Sequence, residues 1–148
     1  SILLGVASMT VEFLGDLALC SWMQQFSPVA DGIMLVCTVV MFVPGVVHHV
    51  FCGTVEWFYI RLGRTEEARQ VILEFFKKTM STMLACFVGF LVFSVVLLVM
   101  VAMGLTALPR WACLLNLLVL FAVMAPFRIV GTLNIAGALM LAGLCILL

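Results

Sequence analysis

Charge is scarce in this sequence. Only 9% of its residues are Asp, Glu, Lys or Arg, and seven acids balance seven bases. A water-soluble domain needs far more polar surface than that. No basic stripe and no interleaving of basic and aromatic residues is present, so nucleic acid is not an expected partner. Paired cysteines are missing too. Cys20, Cys37, Cys52, Cys86, Cys113 and Cys145 stand singly in apolar runs, with no CxxC or metal-knuckle spacing. They read as small packing hydrophobes, and a thiolate zinc site is excluded. No HExxH, Walker loop, nucleophile elbow, kinase or dinucleotide motif occurs, so no metal or cofactor is expected. A basic leader is also lacking, and the first apolar run carries two acids, which argues against a cleaved signal peptide. The start at Ser1 fits either removal of a methionine or a piece of a longer protein.

What is present is hydrocarbon. Hydrophobic residues make up 66% of the chain and the mean hydropathy is +1.36. Helices apolar on all sides belong in lipid. The expected class is all-α, a polytopic membrane helical bundle forming one unit over residues 1–148. At roughly 20 apolar residues per crossing, about five transmembrane helices fit. They run from Ile2 to Trp22, Gly32 to Arg61, Thr79 to Leu105, Trp111 to Ala125 and Val130 to Leu148. Ser27-Pro28 breaks the first link, and Pro44 is expected to kink the second helix. Ser81, Ala85 and Gly89, and again Asn134, Ala138 and Ala142, form small-residue ridges for close helix approach.

Residues 62–78 are the one charged stretch. Thr65 suits an N-cap, and Glu66 and Glu67 suit the positive end of a following helix. Ala68, Val71, Ile72, Phe75 and Phe76 then repeat at helical spacing, and Glu74 and Lys78 are an i, i+4 pair. The segment either lies in the membrane interface as a docking helix or extends the next span. Arg61, Arg64, Arg69, Lys77, Lys78 and Arg128 fall on one side of the five-span arrangement and only Arg110 on the other. The positive-inside rule then makes the 62–78 loop cytoplasmic and the location the cell (inner) membrane. Trp22, Trp57, Tyr59 and Trp111 sit near the expected boundaries, as belt aromatics do.

Few residues can carry chemistry. Glu12 and Asp16 are one turn apart on one face of the first span. A membrane carboxylate costs roughly 2.5–3.5 kcal/mol on insertion scales, so such acids tend to mark pathways. Two together cannot easily both ionise. The pair suits a proton relay, a cation site or recognition of a polar headgroup, and a hydrogen-bonded structural pair is the alternative. On the second span His49 and Glu56 share a stripe with Gly45 and Gly53, while His48 points about 100° away. Asp16, His49 and Glu56 are the candidate acid-base set. Asn116 and Asn134 need partners at membrane depth and are expected to face the bundle as interhelical glue.

One ordered set of motifs is familiar. Gly15-Asp16-Leu17 lies in the second half of the first span, Gly45 precedes His48-His49, Leu108-Pro109-Arg110-Trp111-Ala112 precedes Asn116, and Gly131 to Asn134 opens the last span. This order resembles an uncharacterised family, a domain of unknown function in small bacterial multi-pass membrane proteins with "GD", "G…H" and "PKW…NP" segments. Asn116 is followed here by Leu117 instead of proline, and members usually have about six helices. The resemblance implies pattern positions at Asp16, His48 or His49, Trp111 and Asn116, and no activity.

Three functions remain open. The first is binding of membrane lipids or another hydrophobic small molecule, or service as a homo-oligomer or partner subunit of a membrane assembly. Glu12, Asp16, His48, His49, Glu56 and Asn116 are the candidate ligand-binding residues. The second is an acid-base enzyme on a lipid-like substrate, using Asp16, His49 and Glu56. The third is a small proton- or cation-coupled transporter using Glu12 and Asp16.

Overall fold

The computed structural model describes residues 2–129 and 131–148. Among these, all regular structure is helical: α1 (Ile2–Met23), α2 (Pro28–Arg61), α3 (Glu66–Ala102), α4 (Leu117–Met124) and α5 (Thr132–Leu147). Short 3-10 turns at Arg110–Leu115 and Ala125–Phe127 flank α4. The fold is an all-α bundle. The first three helices have 22, 34 and 37 residues and are each long and apolar enough to cross a membrane. At 1.5 Å per residue they measure about 33, 51 and 55 Å.

The starts of the long helices follow from their caps. Ser27 Oγ accepts from the Ala30 amide at 3.1 Å, and Pro28 occupies the first turn, where its missing N–H is not needed. The second helix therefore begins four residues before the expected Gly32. Pro44 lies within it without ending it. Thr65 caps α3 by accepting from the Ala68 amide at 3.2 Å. From there one unbroken helix runs through the charged stretch and the apolar span, so residues 66–78 extend the third helix.

The expected fourth span, Trp111 to Ala125, is not one helix. Residues 110–115 form a 3-10 turn, Asn116 is extended at φ −62° and ψ 140°, and α4 holds only eight residues. A polar side chain that captures backbone groups offers the chain an alternative to continuous helix. Asn116 does this by accepting from the Leu118 amide at 3.0 Å. The fifth helix begins at Thr132, and Val130, its expected first residue, lies outside the described residues.

α3 and α1 both pack on α2. α3 meets the backbone of α2 closely at Gly89, where a Cβ would come within 2.8 Å of the Cys37 carbonyl oxygen and the Met41 nitrogen. The expected ridge is only partly used, because Ser81 is exposed. On α5 the buried stripe is Ala136, Gly137, Met140 and Leu144, while Ala138 and Ala142 face outward. Met23, Met34, Phe93 and Met140 fill the centre completely. Leu3, Leu4 and Val11 expose 81%, 72% and 69% of their surface, whereas Asp16, Thr38, Ser94 and Asn116 are 0–3% exposed. Outside the charged stretch at 61–78 the outer surface is largely apolar, and among the described residues four polar side chains are buried within.

Candidate functional site

A buried polar cluster sits where α1, α2 and α5 meet. Glu12 and Asp16 project from α1 into a cavity of about 30 Å³, closed by Met41 and Phe42 of α2 and by Asn134 and Gly137 of α5. Such a space holds about one water molecule and nothing larger. Gly137 makes the space for Glu12, since a Cβ there would lie 3.0 Å from Glu12 Oε2. Ser8 Oγ donates to Glu12 Oε1 at 3.3 Å. Asp16 is 2% exposed, and among the described residues no hydrogen bond reaches its carboxylate. One turn further, Cys20 Sγ lies 3.8 Å from Thr38 Oγ1, which donates to the Met34 carbonyl at 3.0 Å.

The histidines lie elsewhere and face opposite ways. His49 packs on α1, where Gly5 leaves room for its ring, since a Cβ on Gly5 would fall 2.0 Å from Nε2. That Nε2 is buried without a hydrogen-bond partner among the described residues. Gly5 precedes Asp16 by eleven residues, about 16 Å along the helix. His48 turns toward α3, its Nδ1 3.1 Å from Thr82 Oγ1, with the Phe76 ring beside it. Glu56 is exposed near the charged end of α2 and shares an open groove with Tyr59 and Arg69. Asp16, His49 and Glu56 thus do not converge, because α2 carries the last two along α1 toward and past its first turn. Among the described residues no three His, Cys, Asp or Glu side chains gather as a metal centre would require.

Asn116 is buried against α3. Its Nδ2 donates to the Ser94 carbonyl at 2.8 Å while its Oδ1 caps α4. Both of its polar atoms are used in holding helices, which is the glue role. Ser94 Oγ, beside this contact, is buried and has no hydrogen-bond partner among the described residues.

Some members of the site were not singled out from sequence. Gly137 follows Asn134 by three residues and so shares its face, a signal masked by the neighbouring alanines. Thr38 and Ser94 are polar residues in apolar helices, and the rule that drew attention to Asn116 applies to them equally.

Comparison with curated proteins and with solved structures gives no match. A family profile covers nearly the whole length, residues 1–146. The chain belongs to the family of unknown function DUF6796.

Proposed function

We propose that this chain is a multi-pass integral protein of the cell's inner membrane whose Glu12–Asp16 pair takes up and releases a proton inside the bilayer. The observation that carries the reading is Asp16, a carboxylate 2% exposed, unbonded within the described chain and facing a water-sized cavity shared with Glu12. A structural acid would be tied to neighbouring helices, as Asn116 is. An unbonded acid at membrane depth is the arrangement of a relay group. The cavity volume favours a proton, carried with or without water, over a lipid or other bulky ligand at this place.

The apolar exterior with its buried polar side chains supports membrane embedding. Glu12 and Asp16 stand inside the apolar run from Ile2 to Trp22, in a helix long and apolar enough to cross a membrane. The concentration of Arg64, Arg69, Lys77 and Lys78 at the α2–α3 corner and along the first turns of α3 favours a cytoplasmic 62–78 segment.

The test is proton uptake by proteoliposomes containing a pH-sensitive dye, driven by a potassium diffusion potential. The wild type should acidify the lumen faster than protein-free vesicles, and Asp16→Asn should return the rate to the protein-free level. Undiminished uptake by Asp16→Asn, or no uptake by the wild type, would overturn the reading.

A further inference from the structure

We infer that the open groove between the end of α2 and the start of α3 binds the headgroup of an aminophospholipid, with Glu56 taking the ammonium and Arg69 the phosphate. This inference rests on the membrane placement proposed above and not on the carboxylate pair. The groove is about 320 Å³, at the lower end of the roughly 300–1,000 Å³ range of ligand sites and far larger than the cavity at Asp16. Its two walls come from stripes of helical spacing, Cys52, Glu56 and Tyr59 on α2 and Arg69, Leu73 and Phe76 on α3.

Three features point to this occupant. The first is depth. Cys52 lies one turn beyond His48 and Phe76 nearly two turns beyond Thr82, at the edge of the apolar span. Glu56 is four residues further out, about 6 Å along the axis, which is about the thickness of one headgroup layer. The second is charge. One acid and one base line the same apolar groove, yet they do not pair with each other. Among the described residues the Arg69 partner is Glu66, at 2.8 Å, and Glu56 has neither an ion pair nor a hydrogen bond. Arg69 has five N–H donors, so that one contact leaves others free for a phosphate. The third is the polarity of the walls, which are apolar below Glu56 and suit the glycerol and upper acyl carbons.

A primary ammonium carries N–H groups that a carboxylate can accept. A choline headgroup has the same charge and no N–H. Glu56 should therefore separate phosphatidylethanolamine from phosphatidylcholine, while Arg69 should hold both. Because the groups are exposed, the discrimination is that of a surface ion pair, up to about fivefold.

The experiment uses the full chain in nanodiscs of equimolar phosphatidylethanolamine, phosphatidylcholine and phosphatidylglycerol. The lipid retained through gentle detergent extraction is quantified by mass spectrometry. The wild type should retain phosphatidylethanolamine over phosphatidylcholine by about two- to fivefold. Glu56→Gln should abolish that preference with phosphatidylcholine unchanged, and Arg69→Gln should lower retention of both. Asp16→Asn should leave the preference intact, so failure of the proton reading and failure of this one are separable. Equal retention of the two zwitterionic lipids, dominance of phosphatidylglycerol, a preference that survives Glu56→Gln or one lost with Asp16→Asn would each overturn the assignment.

Discussion

The side chain of Asn116 bridges two helices at once, giving a hydrogen bond to the Ser94 carbonyl on α3 at 2.8 Å and accepting one from the Leu118 amide on α4 at 3.0 Å. The cap contributes about 1 kcal/mol and the interhelical bond about 0.6–1.7 kcal/mol. Asn116→Ala should therefore lower stability by about 2 kcal/mol in an SDS unfolding titration. Asn116→Ser keeps a capping oxygen but cannot reach Ser94, so its loss should fall between wild type and alanine. Equal losses for the two variants would show that the cap contributes nothing.

Gly89 and Gly32 should respond to alanine with opposite sign. At Gly89 the new Cβ meets backbone atoms of Cys37 and Met41 at 2.8 Å, and backbone cannot swing aside as a side chain can. The overpacking penalty is about 1–3 kcal/mol. At Gly32, within α2, nothing lies within 4 Å, and alanine should stabilise by about 0.5–1 kcal/mol through the helix-propensity gain. The same titration reads both.

Asp16→Leu should separate activity from folding. Removing a buried carboxylate that no hydrogen bond within the described chain supports should leave stability unchanged or raise it by about 1–2 kcal/mol. Proton uptake should vanish. Collapse of expression together with activity would identify Asp16 as a structural residue.

Gly137→Leu should act on the same function from the opposite helix. Even a Cβ at this position lies 3.0 Å from Glu12 Oε2, and a leucine side chain would fill the water-sized space. Proton uptake should fall at least tenfold, whereas Ala138→Leu on the exposed face of α5 should leave it unchanged.

The first turns of α3 should loosen in acid. A hydrogen bond from the Gln70 amide, and then one from Arg69, hold the Glu66 carboxyl below its ordinary value of 4.5. A carboxyl whose folded value is depressed adds stability above the unfolded value and loses it as pH falls through the folded one. Amide exchange at residues 67–70 should accelerate below about pH 4.5 relative to the rest of the helix. Glu66→Gln should flatten that pH dependence.

The long helices were legible because their signals are local. Thr65 stands at a helix start with the chemistry a cap requires, and the long apolar runs mark the helices themselves, although Ser27-Pro28 reads as a break and hides the first turn of α2 before Gly32. The break at Asn116 was not legible, since the residues from Trp111 to Ala125 are as apolar as a true span. What breaks the run is Asn116, whose side chain caps α4 locally and also reaches Ser94, 22 residues away in sequence, a contact that composition does not show. The site divides in the same manner. Glu12 and Asp16 share a face by their spacing alone, so their proximity could be read directly. Whether His49 or Glu56 joined them depended on how far α2 runs past the start of α1, which is set by packing at Gly5 and Gly53.

The interruption at Asn116 also bears on the order of assembly. The helical run from Leu117 to Phe127 is about 16 Å long, short of a hydrocarbon layer about 30 Å thick. It would not settle alone as an independent spanning unit during synthesis. It needs a partner surface already in place, and Ser94, whose carbonyl accepts from Asn116, lies on a helix that leaves the ribosome earlier. The segment after Asn116 is thus a guest of α3, and a nascent chain arrested after α3 should insert stably, while residues 103–129 expressed alone should not.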